Sequence, residues 1–121
     1  MLTLVVVNPH DKDALGEFSD FFGVGHTAAV LYDGHRMIGV AAVSFFKDGA
    51  KIEKVTLKDG FDGEETRRFF LRSLVFKLCV GNGRIFSSFK DPLLAEIGFE
   101  KNGEGMSCLA KNVVFKKMCG D

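Results

Sequence analysis

The stretch IEKVTLKDGFDGEETRRFFL, residues 52–71, carries a strand pattern, a polar turn and the start of a helix pattern in one run. Residues 51–57 alternate between two sets of side chains, as a strand with two different faces requires. A turn rich in Asp and Gly follows at residues 58–63. From residue 64 to residue 80, apolar side chains recur at helical spacing, at Phe70, Leu71, Leu74, Val75 and Leu78. The stretch therefore predicts a strand–turn–helix unit at the centre of the fold.

Upstream of this unit the sequence predicts a strand, a helix and a hairpin. Residues 2–7 form a β-branched run that ends at Asn8-Pro9, and the apolar spacing of residues 11–22 indicates a helix. Strands follow at residues 27–32 and 37–46, joined by Asp33-Gly34, a strong hairpin signal. Together with the strand at residues 51–57 they predict an antiparallel meander.

Downstream of the principal helix the sequence predicts a strand at residues 84–89 and a short helix at residues 91–97. Asp91-Pro92 starts that helix as a cap followed by proline at the first helical position. Residues 99–102 and 106–115 then form a final hairpin. The order βα-βββ-α-β-α-ββ predicts an α/β (α+β) fold with a mixed, mostly antiparallel central sheet flanked by helices on both faces. Residues 1–121 are expected to form a single domain, since the length is that of one domain.

Composition excludes several classes of partner at this stage. Sixteen basic residues balance sixteen acidic ones, which predicts no nucleic-acid partner and no anionic membrane surface. The apolar start of the chain has neither a basic lead nor a cleavage site, so it is expected to be a strand in a cytoplasmic protein. The three cysteines, Cys79, Cys108 and Cys119, are odd in number and lack C-x-x-C spacing, so neither a disulfide framework nor a metal site is expected.

Three segments together resemble the GNAT superfamily of acetyl-CoA-dependent N-acetyltransferases. Residues 32–41, YDGHRMIGVA, are similar to the family's D-G-x-x-V-G-x-A hairpin, and residues 94–99, LAEIGF, to its Y-E-K-x-G-F segment. Residues 52–71 lie without a gap on its central strand, phosphate loop and leucine-rich helix. The resemblance implies acetyl-CoA as cofactor and transfer of an acetyl group to a small-molecule amine or a peptide amine.

The phosphate loop departs from the family motif R-G-x-G-x-G/A. Only one motif glycine, Gly63, is retained, because an aspartate replaces the arginine and Glu65 and Arg67 replace the other two glycines. Asp62 and Glu65 have the spacing of a capping box, which would occupy amides that otherwise hold a diphosphate. The resemblance therefore implies weakened acetyl-CoA binding, partly compensated if Arg67 and Arg68 point into the cleft. The implied cofactor-binding loop comprises Asp62, Gly63, Glu64, Glu65, Thr66, Arg67 and Arg68.

On the central strand the resemblance implies a catalytic residue and a cofactor contact. Glu53 lies where the family frequently carries a general base, although a carboxylate there can equally be an exposed partner of a neighbouring lysine. Backbone groups of Val55, Thr56 and Leu57 would pair with the pantetheine arm. Leu94 replaces the tyrosine that often serves the family as general acid. The pair Ser87-Ser88 fits either a cofactor contact or a plain turn.

Two further hypotheses remain open from the sequence. The fold can be retained as a catalytically inactive binding or regulatory module, because a fold does not imply a function. The apolar residues of the tail, residues 112–121, can either complete the last strand or form the contact of a homodimer.

Overall fold

The computed structural model describes residues 2–23, 25–79 and 83–113. In chain order the elements are β1 (Leu2–Val7), α1 (Lys12–Leu15), a 3-10 helix (Gly16–Phe21), β2 (His26–Asp33), β3 (Arg36–Phe46), β4 (Gly49–Leu57), α2 (Glu64–Leu78), β5 (Arg84–Ser87), α3 (Pro92–Ala95), β6 (Glu100–Asn102), β7 (Gly105–Leu109) and a 3-10 helix (Ala110–Asn112). The predicted order of strands and helices is therefore confirmed. None of these described helices is both long and apolar enough to cross a membrane.

The strands form one seven-stranded sheet in the order β1-β2-β3-β4-β5-β7-β6. Neighbouring strands pair antiparallel except β4 and β5, which are parallel because α2 carries the chain from one to the other. The predicted mixed, mostly antiparallel sheet is thus confirmed. Its single parallel pair among the described strands lies at the centre of the sheet.

The main hydrophobic core lies between α2 and the sheet. Phe70, Leu71, Leu74 and Val75 from the predicted apolar stripe of α2 are buried there. They pack with Ile52 of β4 and other sheet residues, and with the α3 residues Leu93 and Leu94. Burial of such aliphatic and aromatic side chains stabilises the domain by roughly 1.5–3 kcal/mol each. This core fixes α2 relative to β4, and so fixes the turn between them.

The opposite face of the sheet is covered differently from the prediction. Leu15 packs there with Ala28, Val30 and Val40, and Phe18 and Phe21 border this second cluster. The predicted helix over residues 11–22 is only one α-helical turn that passes into a 3-10 helix at Gly16, whose φ is +55°. A left-handed residue interrupts α-helical hydrogen bonding. The prediction of helices on both faces is therefore not confirmed in that form.

Two strands are shorter than predicted. β5 ends at Ser87 instead of residue 89, because the Ser87 hydroxyl donates to the carbonyl of Phe89 at 2.5 Å and the chain turns. β7 ends at Leu109 and passes into a 3-10 helix. Residues 110–112 of the predicted last strand form this 3-10 helix, so the strand prediction is wrong there. The end of that predicted strand, residues 114–115, lies outside the described residues, and so does the tail of residues 112–121 apart from 112 and 113.

Candidate functional site

β4 and β5 part from each other halfway along β4. Their parallel pairing runs from Gly49 with Arg84 to Ile52 with Ser87. Ser88 then closes the junction, since its N–H donates to the carbonyl of Ile52 at 3.1 Å and its hydroxyl donates to the carbonyl of Glu53. Beyond this point β4 continues to Leu57 with partners on β3 alone among the described strands. The result is an opening between the two central strands on the side where both strands end.

A β-bulge lies on β4 where this opening begins. Ala42 of β3 is opposite Lys54 and Val43 is opposite Ile52, so Glu53 is the extra residue of the bulge. Bulges re-aim side chains and are common beside active sites. The alternation of side chains in the sequence predicted that β4 is a strand. It could not show the bulge, because a single extra residue leaves the pattern on either side intact.

The side chain of Glu53 is one-quarter exposed and held by two neighbours. The hydroxyl of Ser44 donates to Oε2 at 2.6 Å, and Nζ of Lys51 lies 3.8 Å from Oε1. The sequence interpretation of a glutamate paired with a lysine is thus partly met, although the lysine contact is the longer one. Ser44 was not singled out from the sequence; its only signal there is a polar residue after the apolar run AAV in β3.

The backbone of β4 beyond the bulge presents alternate residues to the opening. Lys58 donates its N–H to the carbonyl of Ile38 at 2.8 Å, so the backbone groups of Lys58 and Thr56 are directed to β3. Successive residues of a strand direct their backbone groups to opposite sides. The N–H and C=O groups of Val55 and Leu57 therefore face the opening, whereas those of Thr56 do not.

The amino terminus of α2 lies directly after this open half of β4. The helix is capped by Gly63, with φ −65° and ψ 159°, and not by Asp62. The predicted capping box of Asp62 and Glu65 is therefore wrong, because both residues stand one position too early for that geometry. Asp62, Glu64 and Glu65 are exposed, and Thr66 is half-buried. A Cβ on Gly63 would meet nothing within 4 Å, so the space beside the capping residue is open.

Arg67 and Arg68 are bound to acidic residues in the segment that follows β5. Nε of Arg67 lies 2.7 Å from Oδ2 of Asp91, and Arg68 contacts Glu96 through Nε at 3.0 Å and a terminal nitrogen at 3.3 Å. Hydrogen bonding to Glu96 raises the pKa of the Arg68 guanidinium further above its ordinary value. Arg72, which is buried, donates to the same Glu96 at 3.4 Å. The sequence identified Asp91 as a helix cap but not as the partner of Arg67.

A groove of about 500 Å³ lies on the sheet next to the junction of β4 and β5. Phe46 and Phe86 form one side, with ring centroids 5.6 Å apart, and Lys51 and Ser88 connect the groove to Glu53. Glu104 and the β6–β7 turn form another part of its rim. The groove therefore offers a second ligand space beside the candidate base.

Other chemistry is poorly supported among the described residues. Leu94 is fully buried, and the sole tyrosine, Tyr32, borders the second cluster on β2. Burial raises the pKa of the Cys108 thiol, which disfavours the thiolate form that a nucleophile requires. Within the described ranges, no three His, Cys, Asp or Glu side chains come together as a metal site.

Solved structures of very different sequence have the same architecture. "The crystal structure of KacTA-DNA complex" contains a chain with a TM-score of 0.68 and 13% identity, covering 100% of this chain and 99% of that chain. The ribosomal-protein-S18-alanine N-acetyltransferase from Escherichia coli has a TM-score of 0.66 and 14% identity, with coverages of 88% and 90%. "Crystal structure of AtaTR bound with AcCoA" contains a chain with a TM-score of 0.64 and 11% identity, covering 99% of this chain and 98% of that chain.

These comparisons show that the chain has a GNAT-like fold. The sequence matches no family model and no curated protein. The prediction of no nucleic-acid partner, made from balanced charge, is contradicted, since similar structures include the KacTA-DNA complex and the AtaT-AtaR complex bound to DNA. Net charge describes the whole surface of one chain, and it carries no information about the assemblies in which a fold occurs.

Proposed function

We propose that this chain is a single-domain, acetyl-CoA-dependent N-acyltransferase that transfers an acetyl group to an amine. The observation that carries the proposal is the opening between parallel strands β4 and β5, with Glu53 on a bulge at its closed end and the α2 amino terminus at its open end. Parallel strands with diverging ends and a following helix form a common ligand position, because unpaired backbone groups are concentrated there. The similarity of fold to a structure bound to acetyl-CoA supports the same cofactor.

In this proposal the cofactor enters between the carboxyl ends of β4 and β5. The pantetheine arm pairs with the carbonyl of Val55 and with the backbone groups of Leu57 in place of a strand neighbour. The diphosphate lies before the first turn of α2, where backbone amides and the helix dipole attract an anion. The thioester then reaches the closed end of the opening, beside the Glu53 bulge and the groove formed with Phe46 and Phe86.

The proposed chemistry is direct attack of the amine on the thioester. The amine nitrogen forms a bond to the carbonyl carbon, the C–S bond breaks, and the thiolate of CoA leaves. Glu53 accepts the proton of the amine, directly or through water, while Ser44 holds its other oxygen at 2.6 Å. The N–H of Val55 polarises the thioester carbonyl. Because Leu94 is buried and apolar, solvent protonates the thiolate.

The acidic first turn of α2 favours a second candidate function. Glu64 and Glu65 stabilise the helix by roughly 0.3–1 kcal/mol each, but they repel a diphosphate at the same place. Together with the buried Leu94, they support a catalytically inactive binding or regulatory module as the alternative. Cofactor binding separates the two functions, since the enzyme requires it and the module does not.

Thermal unfolding with acetyl-CoA tests the proposal. At a ligand concentration 100 times the dissociation constant, the free energy of unfolding is expected to rise by about 2.7 kcal/mol, because the ligand binds the folded chain only. The shift is expected with acetyl-CoA and CoA, and not with adenosine as a control. An unchanged midpoint at millimolar acetyl-CoA would contradict the acyltransferase proposal and favour the inactive module.

A further inference from the structure

The ion pair of Arg67 and Asp91 connects the two sides of the opening. β4 and β5 are parallel, so their carboxyl ends lie at the same edge of the sheet. α2 follows β4 and α3 follows β5, and Arg67 stands in the first turns of α2 while Asp91 caps α3. The contact of Nε with Oδ2 at 2.7 Å therefore joins the two segments that flank the proposed entry of the cofactor.

Asp91 is held in place independently of Arg67. Its Oδ1 accepts the N–H of Leu93 at 2.9 Å, which caps α3, and the residue is buried. Only Oδ2 is used for Arg67. The carboxylate can therefore lose its arginine partner and keep its structural bond, so the ion pair can open without unfolding α3.

Arg67 has unused hydrogen-bonding capacity, unlike its neighbour. Within the described part of the chain, its two terminal nitrogens have no partner, and its side chain is about one-third exposed. Arg68, by contrast, contacts Glu96 through two nitrogens. A guanidinium with a free planar end is well suited to bind phosphate oxygens in a bidentate manner. Arg67 also stands at the last position of the motif R-G-x-G-x-G/A, where the phosphate loop of the GNAT superfamily has a small residue. It is therefore close to the expected position of the diphosphate.

We infer that Arg67 is a diphosphate-binding residue for which Asp91 competes. Without cofactor, Asp91 holds the guanidinium across the entry of the opening. When acyl-CoA enters, the diphosphate contacts the free end of the guanidinium and then replaces Asp91 at Nε, while Asp91 remains bound to Leu93. This inference rests on the proposed function, and it makes the pair a contact that weakens cofactor binding in the wild-type chain.

The dissociation constants of CoA and dephospho-CoA, measured by calorimetry on three variants, test this inference. D91N is expected to bind both ligands about threefold more tightly, since the partly buried ion pair with Arg67 no longer competes. Asparagine is also a good helix cap, so α3 is retained. R67A is expected to bind both ligands about tenfold more weakly, because a charge-assisted contact to phosphate is lost. In the double variant, the gain from D91N is expected to disappear.

E96Q is the matched control, because it also removes a carboxylate that pairs with an α2 arginine. It is expected to change both dissociation constants by less than about twofold. Unchanged or weaker binding of the ligands by D91N overturns the inference but not the proposed function. Tighter binding caused by D91N that persists in the double variant, which lacks Arg67, does the same. A loss on R67A that affects CoA but not dephospho-CoA, which lacks the 3′-phosphate, also overturns it. Absence of binding by both the wild type and D91N overturns the inference and the proposed function together.

Discussion

E53Q is expected to lower kcat/KM for acetyl transfer by about 100-fold, because positioned general bases typically contribute that factor or more. Glutamine keeps the size of the side chain and can still accept the Ser44 hydroxyl, but it cannot take a proton from the amine. The measurement is release of free CoA thiol with an amine acceptor that supports turnover by the wild type. The dissociation constant of acetyl-CoA is expected to stay within about twofold, since Glu53 does not contact the phosphates.

E17Q is the matched control for this result. Glu17 is exposed and forms an ion pair with Lys58 of the β4–α2 connection at 3.0 Å. E17Q changes the net charge by the same amount as E53Q but leaves the bulge untouched. Its kcat/KM is therefore expected to change by less than about twofold. Retention of more than a tenth of wild-type kcat/KM by E53Q would contradict the role of Glu53 as base.

G49A is expected to lower the free energy of unfolding by about 3 kcal/mol, the upper part of the range for overpacking. Gly49 begins the parallel pairing of β4 with β5, and a Cβ at this position would overlap the backbone carbonyl oxygen of Arg84. A backbone atom cannot rotate away as a side chain can, so the strands must separate. Urea unfolding measures the change, and weaker acetyl-CoA binding is expected to accompany it.

G23A is the control for the loss of a glycine. A Cβ on Gly23 would make ordinary contact with the ring of His26, at 3.4 Å or more. Its effect on the free energy of unfolding is expected to be within about 0.5 kcal/mol. Equal stability of G49A and G23A would show that β4 and β5 do not approach each other as closely as described.

The sequence predicts the architecture because local patterns determine most of it. The apolar stripe of α2, the Asp33-Gly34 turn and the Asp91-Pro92 cap each fix one element by a short-range rule. The segment at residues 11–22 is the exception. Its apolar spacing is helical, but Gly16 adopts a left-handed conformation, and spacing alone does not register that preference.

The details of the candidate site depend on contacts between distant residues, which local patterns cannot show. The cap of α2 is Gly63, one residue after the Asp62 that the capping-box pattern indicates. The bulge at Glu53, the Ser44 hydroxyl beside it and the pairing of Arg67 with Asp91 all join residues from different elements. Such pairings depend on the packing of α2 and α3 against the sheet. The sequence therefore identified Glu53, Arg67 and Asp91, but neither Ser44 nor the contacts that these residues make.

Backbone-amide NMR during a titration with CoA tests the central claim most directly, because it reports both binding and its location. The account predicts the largest chemical-shift changes at Val55, Leu57 and the first turn of α2, which border the opening beyond Ile52. Changes are expected to be small around the hollow of about 560 Å³ at the opposite ends of β4 and β5, which is lined by Phe45, Ala50 and Gly83 among others. Largest changes at that hollow, or no changes at millimolar CoA, would contradict the account.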